Sequence, residues 1–184
     1  MYFFTTSKQK SVPRRGFSLV ETLVAVSILL IAVLAPMRIV AQSIKASVTS
    51  REQLIAVFLA QEGIEAMTRL RDNDYLDGGP TWSWYSGLPG ACTNGTGCDY
   101  DVDSDSFTPC SGSNCLMYID ENGGGNVFYS HDSGDTPTQF TRKIFVSEPT
   151  SGEAEITSTV SWYSDVAKEN VDVSLQTRVF DQYQ

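Results

Sequence analysis

The strongest constraint on this chain lies near its start. Residues 17–40 read FSLVETLVAVSILLIAVLAPMRIV, and Glu21 is the sole charge before Arg38 closes the run. From Phe17 to Met37 a helix rising about 1.5 Å per residue spans roughly 30 Å, the thickness of bilayer hydrocarbon. Apolar on every face, the run reads as a membrane span rather than a one-sided core helix. Lys8, Lys10, Arg14 and Arg15 precede it and no acid does, which favours a cytoplasmic N-terminus and an outward C-terminus. A secretory signal would carry a shorter apolar region and a small-residue cleavage site. The best such site, Val33-Leu34-Ala35, is followed directly by Pro36, a poor substrate for signal cleavage. A plain single-pass anchor accommodates the run but leaves Glu21 unexplained.

A carboxylate four residues inside an apolar helix costs about 2.5–3.5 kcal/mol on insertion scales and calls for a partner. A snorkelling position at the interface is the bland account. A free α-amino group, created by cleavage just before Phe17, is the sharper one. Arg14-Arg15-Gly16-Phe17-Ser18-Leu19-Val20-Glu21-Thr22-Leu23 resembles the prepilin motif of type IV pilins and pseudopilins. That resemblance implies cleavage between Gly16 and Phe17 by a prepilin peptidase/methyltransferase, N-methylation of Phe17, and an assembly role for Phe17 and Glu21. A second segment, Phe58-Leu59-Ala60-Gln61-Glu62-Gly63-Ile64-Glu65 with Arg69 and Arg71 after it, resembles the helix of type IV pilus modification proteins, a minor-pilin group.

Charge sharpens the division. The chain of 184 residues has 13 Lys and Arg against 22 Asp and Glu, a net of −9. Nine of the cations but all of the acids lie beyond residue 16, so a basic leader precedes an acidic, exported body. Such a body repels phosphate backbones, and no nucleic acid is expected as partner. Four cysteines, all beyond the apolar run, fit an oxidising compartment.

The helical pattern resumes after Arg38, with Pro36 expected to kink or loosen the helix rather than end it. Val57, Ala60, Ile64, Met67 and Leu70 form an apolar stripe opposite Arg51, Glu62, Glu65 and Arg69. Asp72-Asn73-Asp74 and then Asp77-Gly78-Gly79-Pro80 are expected to stop it. Between Gly78 and Gly152 lie 12 of the 14 glycines and five of the seven prolines, so loops dominate there. Strands are expected at 115–120, 126–130, 138–148, 154–164 and around 171–179, where period-2 alternation marks antiparallel strands with one buried face. The fold class is therefore α+β: a long N-terminal helix, membrane-embedded in its first half, packed by its second half on a C-terminal antiparallel sheet. This order is also what a pilin-like chain implies. The expected divisions are a leader at 1–16, a transmembrane and assembly half-helix at 17–40, an amphipathic half-helix at 41–76, and a head at 77–184 with its sheet from about 115.

Candidate chemistry in the head is sparse. Cys92, Cys98, Cys110 and Cys115 lack a C-x-x-C knuckle, which argues against zinc. Of three pairings, Cys92–Cys98 and Cys110–Cys115 close the short loops and are the parsimonious choice. Asp99, Asp101, Asp103 and Asp105 alternate like calcium ligands, but the sixth-position Gly and twelfth-position Glu of a calcium loop are missing, so a solvated acidic turn is expected. Asp120, Glu121 and Asn122 read as hairpin-turn residues. His131 and Asp132 sit among serines with no G-x-S-x-G elbow, and a surface loop is expected rather than a hydrolytic triad. Trp82, Trp84 and Tyr85 are expected to cap the helix–sheet core. Asn94-Gly95-Thr96 is a sequon inside the proposed Cys92–Cys98 loop. No catalytic constellation and no cofactor site emerges.

The expectation is a non-enzymatic minor pilin-like subunit. Its partners would be other pilins through the N-terminal helix, the peptidase, an inner-membrane assembly platform and, before assembly, the membrane itself. It would move from the inner membrane to an extracellular filament. A secretion pseudopilin and an uncleaved membrane protein with an external binding head are the alternatives.

Overall fold

The structure, a computed structural model, describes residues 16–77, 83–101, 104–112, 115–120, 128–131 and 133–181. The chain divides into two units, with the boundary between Ile44 and Lys45. Helix α1 (Leu19–Leu76) runs through both and continues across Pro36. In the first unit it contains a stretch apolar and long enough to cross a membrane, none of it buried.

The second unit is the expected α+β head. Among the described residues α1 is followed by two single-turn helices, α2 (Ser83–Ser86) and α3 (Gly90–Thr93), and then by seven strands: β1 (Cys98–Asp101), β2 (Ser106–Pro109), β3 (Leu116–Asp120), β4 (Phe128–Ser130), β5 (Thr136–Thr150), β6 (Glu153–Ser164) and β7 (Glu169–Phe180). All pairings are antiparallel. β5 is the hub. One edge pairs with β6, and β6 with β7. The other edge is shared end to end by β3, around Thr136–Thr141, and β1, at Ile144, with β4 and β2 outside them.

The sheet thus begins at Cys98, not near 115 as the sequence suggests. The β1–β2 hairpin was hidden because its strands have four residues each and carry Asp99 and Asp101. Helix α1 ends at Leu76, the expected limit just ahead of Asp77, with Asp72–Asp74 inside its last turns. Rather than stopping the helix, Asp74 ties its end to α2: Oδ2 accepts the backbone N–H of Trp84 at 2.9 Å.

The buried face of α1 differs from the expected stripe. Ala60 and Met67 are buried as expected, but Val57, Ile64 and Leu70 are only half-buried. The line of closest approach is Ala56, Leu59, Ala60, Gly63 and Ala66. Gly63 shows why. A Cβ built there would lie 2.6 Å from Ser158 Oγ and 3.1 Å from Ile144 Cδ1, so the helix backbone rests on β5 and β6 where only glycine fits. Close approach selects small side chains, whereas hydrophobic patterning favours large ones.

Inward positions alternate along the strands. β6 buries Ala154, Ile156, Ser158, Val160, Trp162 and Ser164, and β5 buries Phe140, Arg142, Ile144 and Val146. One hydrophobic cluster gathers Met67, Trp84, Leu88, Ile144 and Ile156 with Tyr85 packed against it. A second gathers Leu59, Met117, Phe140, Val160 and Trp162. Trp84 and Tyr85 therefore take the core position expected of them, and Trp82 lies outside the described residues. At the far end of the head's stretch of α1, Glu52 Oε2 accepts from Trp162 Nε1 at 3.2 Å and Ser164 Oγ at 3.3 Å, joining helix to β6.

Candidate functional site: an exposed helix start and a buried charge network

The start of α1 is built by local rules. Ser18 precedes the first helical residue, and its Oγ accepts the backbone N–H of Glu21 at 3.2 Å while its carbonyl accepts that of Thr22. Ser18-Leu19-Val20-Glu21 therefore has the spacing of a capping box, a signal readable from sequence alone. The cap matters because the first N–H groups of a helix have no intrahelical acceptor. Glu21 also sits in the first turn, where the positive end of the helix dipole favours an anion. Phe17 is 80 % exposed just ahead of it. Gly16, Phe17 and Glu21 are all exposed at this end, and among the described residues Glu21 forms no ion pair. The geometry is an unburied apolar helix presenting one carboxylate at its tip.

Residues 13–35 match the prokaryotic N-terminal methylation motif. The motif indicates a type IV pilin- or pseudopilin-like precursor, processed by a prepilin peptidase and assembled with other pilins, and points to a structural subunit rather than an enzyme. With the apolar helix it fits a membrane-anchored precursor. No curated protein and no solved structure gives a match.

The head holds a second arrangement that the motif does not describe. Arg142, at an inward position of β5, is fully buried, as is Asp99 on β1. Arg142 Nε donates to Asp99 Oδ1 at 2.6 Å and Nη2 to the Tyr100 carbonyl at 2.9 Å. Nη1 donates to the Leu59 carbonyl at 3.2 Å and to Glu62 Oε2 at 2.8 Å. One guanidinium thereby connects α1, β1 and β5. Asp99 Oδ1 also accepts the Tyr100 N–H, and Oδ2 meets His131 Nε2 at 2.8 Å. A carboxylate only accepts, so this His131 nitrogen carries the proton. Burial disfavours the charged form of Arg142, but Asp99 and Glu62 outweigh it and push its pKa up.

The structure departs from expectation at Asp99, His131 and Glu62. Asp99 belongs to no solvated acidic turn: it is an internal ion-pair partner. Nor do its neighbours converge with it as calcium ligands. Asp101 Oδ2 accepts from Ser104 Oγ at 2.7 Å, and Asp105 Oδ1 accepts from the Tyr100 hydroxyl. Asp103 lies outside the described residues, among which no group of three or more potential metal ligands occurs. The Tyr100 hydroxyl is held protonated above its usual range, first by that hydrogen bond to Asp105 and then by burial. His131 lies in the connection between β4 and β5, a loop as expected, but its side chain is nearly buried against Asp99, with Nδ1 facing Asp101 at 3.9 Å. Asp132, Glu121 and Asn122 lie outside the described residues. Glu62 faces inward enough to bind Arg142, although it falls on the expected solvated side.

Arg142 was the residue that sequence reasoning missed. Its signal was a cation at an inward step of the Phe140–Arg142–Ile144–Val146 alternation, which requires an anion elsewhere in the core. Two disulfides bracket the β1–β2 hairpin that supplies this anion: Cys92–Cys98 joins α3 to β1, and Cys110–Cys115 joins the end of β2 to the start of β3. Asn94 caps α3, and its side chain accepts the Thr96 N–H.

Proposed function

We propose that this protein is a non-enzymatic minor subunit of a type IV pilus. Cleavage between Gly16 and Phe17 removes the leader, and Phe17 is N-methylated. The precursor waits in the inner membrane with its N-terminus inside, and the assembly platform moves it into the extracellular filament. The observation that carries this reading is the methylation motif heading a helix whose first, membrane-length apolar stretch is unburied within the chain.

The mechanism follows from energetics. In a bilayer the apolar half-helix needs no partner, and Glu21 stays near the interface or takes a proton. Cleavage creates a cation at Phe17, within one turn of Glu21. When helices bundle, each unpaired charge in the low-dielectric interior costs several kcal/mol, so the amine of one subunit gains by meeting a carboxylate of the next. The minor-pilin assignment draws on the Phe58–Glu65 resemblance and on the head. Glu62 and Gly63 of that segment are the residues that bind Arg142 and admit the sheet.

Intact-mass measurement of the membrane-extracted protein tests the reading. The expected mass lacks residues 1–16 and carries one added methyl group. A mass retaining Met1, or a cut near Ala35, overturns it.

A further inference from the structure

A single residue, Ser18, separates the Gly16-Phe17 pair from the start of α1. The helix begins at Leu19, so Gly16, Phe17 and Ser18 stand outside it. In a regular helix the Glu21 N–H would donate four residues back, to the Phe17 carbonyl. Here it turns instead to Ser18 Oγ at 3.2 Å. The first backbone acceptor is the Ser18 carbonyl, which takes the Thr22 N–H at 3.1 Å. Among the described residues, the carbonyls of Gly16 and Phe17 accept no backbone N–H. Gly16 marks the same boundary. A Cβ built on it meets nothing within 4 Å among the described residues, so no contact there calls for glycine, and what glycine supplies is a poor helix former.

Without the cap, little holds the helix start in place. Apolar surroundings offer no water to the orphaned N–H groups of a first turn, so these groups take the nearest upstream carbonyls. One residue of extension gives the Glu21 N–H the Phe17 carbonyl. A second gives the Val20 N–H the Gly16 carbonyl, which is the one that hydrolysis must attack. A carbonyl engaged in this way, inside a helical turn, is closed to a nucleophile.

We propose that Ser18 is a positioning residue for leader removal: its cap fixes the start of α1 and keeps the Gly16 carbonyl free for the peptidase. The proposal rests on the processing reading above and adds what makes this bond a substrate. Water adds across the Gly16–Phe17 peptide bond, Gly16 leaves with the leader as a carboxylate, and Phe17 keeps the nitrogen as its α-amino group. The catalytic groups are the peptidase's, and Ser18 acts through the shape of the backbone alone. Glu21 lends the cap only its backbone N–H, which any residue but proline supplies.

Cleavage of the full-length precursor, in membranes that contain a prepilin peptidase, tests the proposal. The measurement is the initial rate at which the product beginning at Phe17 appears. As N-caps, asparagine equals serine, glycine follows closely, and alanine falls far below. Ser18→Asn and Ser18→Gly are therefore expected to be cut within about twofold of the unsubstituted rate, and Ser18→Ala about fivefold more slowly. Glycine is the deciding variant, because it has no hydroxyl to touch the peptidase and yet ends a helix nearly as well as serine. A second readout follows the helix start itself: the backbone carbon shifts of isotope-labelled Phe17 should move toward helical values in Ser18→Ala and stay in place in Ser18→Gly. Ser18→Ala cut at the unsubstituted rate, Ser18→Gly slowed as far as Ser18→Ala, or an unmoved Phe17 signal in Ser18→Ala overturns the proposal and leaves the processing reading standing. An unsubstituted precursor that is not cut after Gly16 overturns both.

Discussion

The two stretches of α1 on either side of Ile44 solve opposite problems with the same backbone. Up to Ile44 large apolar side chains occur on every face, and they stay exposed. Beyond Lys45 the helix uses Ala56, Ala60, Gly63 and Ala66 to approach its own sheet. Charge follows the same division. Glu21 has no ion-pair partner among the described residues, whereas Glu62 ends on an internal guanidinium that also holds Asp99. Apolar bulk without a cover belongs to a surface meant for other molecules. Small residues and satisfied charges belong to a surface used within the chain.

Breaking the outward half should have the largest effect. Glu21→Ala is predicted to leave leader cleavage and the melting of the head unchanged while removing the subunit from the sheared filament fraction, and Thr22→Ala should be mild. Normal filament incorporation of Glu21→Ala would show that the carboxylate is not needed for docking. Breaking the inward half should do the reverse. Arg142→Met leaves Asp99 buried beside a neutral side chain, and removing one member of a buried pair costs about 3–5 kcal/mol. Thermal unfolding of the full chain in detergent should register that loss, with cleavage at Gly16 unaffected. The double variant Asp99→Leu with Arg142→Met should recover much of it, since apolar replacement of a whole buried pair is often near neutral.

Gly63→Ala is a finer probe of the same contrast. Alanine gains up to about 1 kcal/mol in helix propensity over glycine, but overpacking costs about 1–3 kcal/mol. A net loss of about 1 kcal/mol is expected, relieved by Ser158→Gly, which removes the nearest atom. An equivalent loss that Ser158→Gly does not relieve would place the strain elsewhere.

The smallest effect expected is at Tyr100, whose pKa is raised in the folded protein chiefly by its hydrogen bond to Asp105. A raised pKa means that the native state holds this proton more tightly than the unfolded chain does. The contribution is therefore complete below pH 10 and fades as pH rises through the folded-state value. Compared with Tyr100→Phe, the unsubstituted protein should lose stability more steeply above pH 10, and melting curves from pH 8 to 11 would reveal the difference. Parallel slopes would mean that the hydrogen bond adds nothing.

The outward half of the molecule was legible in the sequence because its determinants are local. The basic leader, Gly16-Phe17, Glu21 and the long apolar run are neighbours in one short stretch of sequence. The fold class was legible for the same reason: α1 has a helical period, and β5, β6 and β7 have an alternating one. The Asp99–Arg142–Glu62 network was not. Its members are spread over residues 62–142 and belong to three elements; Arg142 stands at an inward step of β5, but Asp99 and Glu62 each resemble an ordinary surface charge. The short β1 hairpin and the rotated face of α1 were hidden likewise, because both depend on what lies across the core. Local periodicity names an element and its apolar side. Which charge is buried, and which alanine or glycine touches the sheet, is decided when distant segments close on one another and every buried polar group must find its partner.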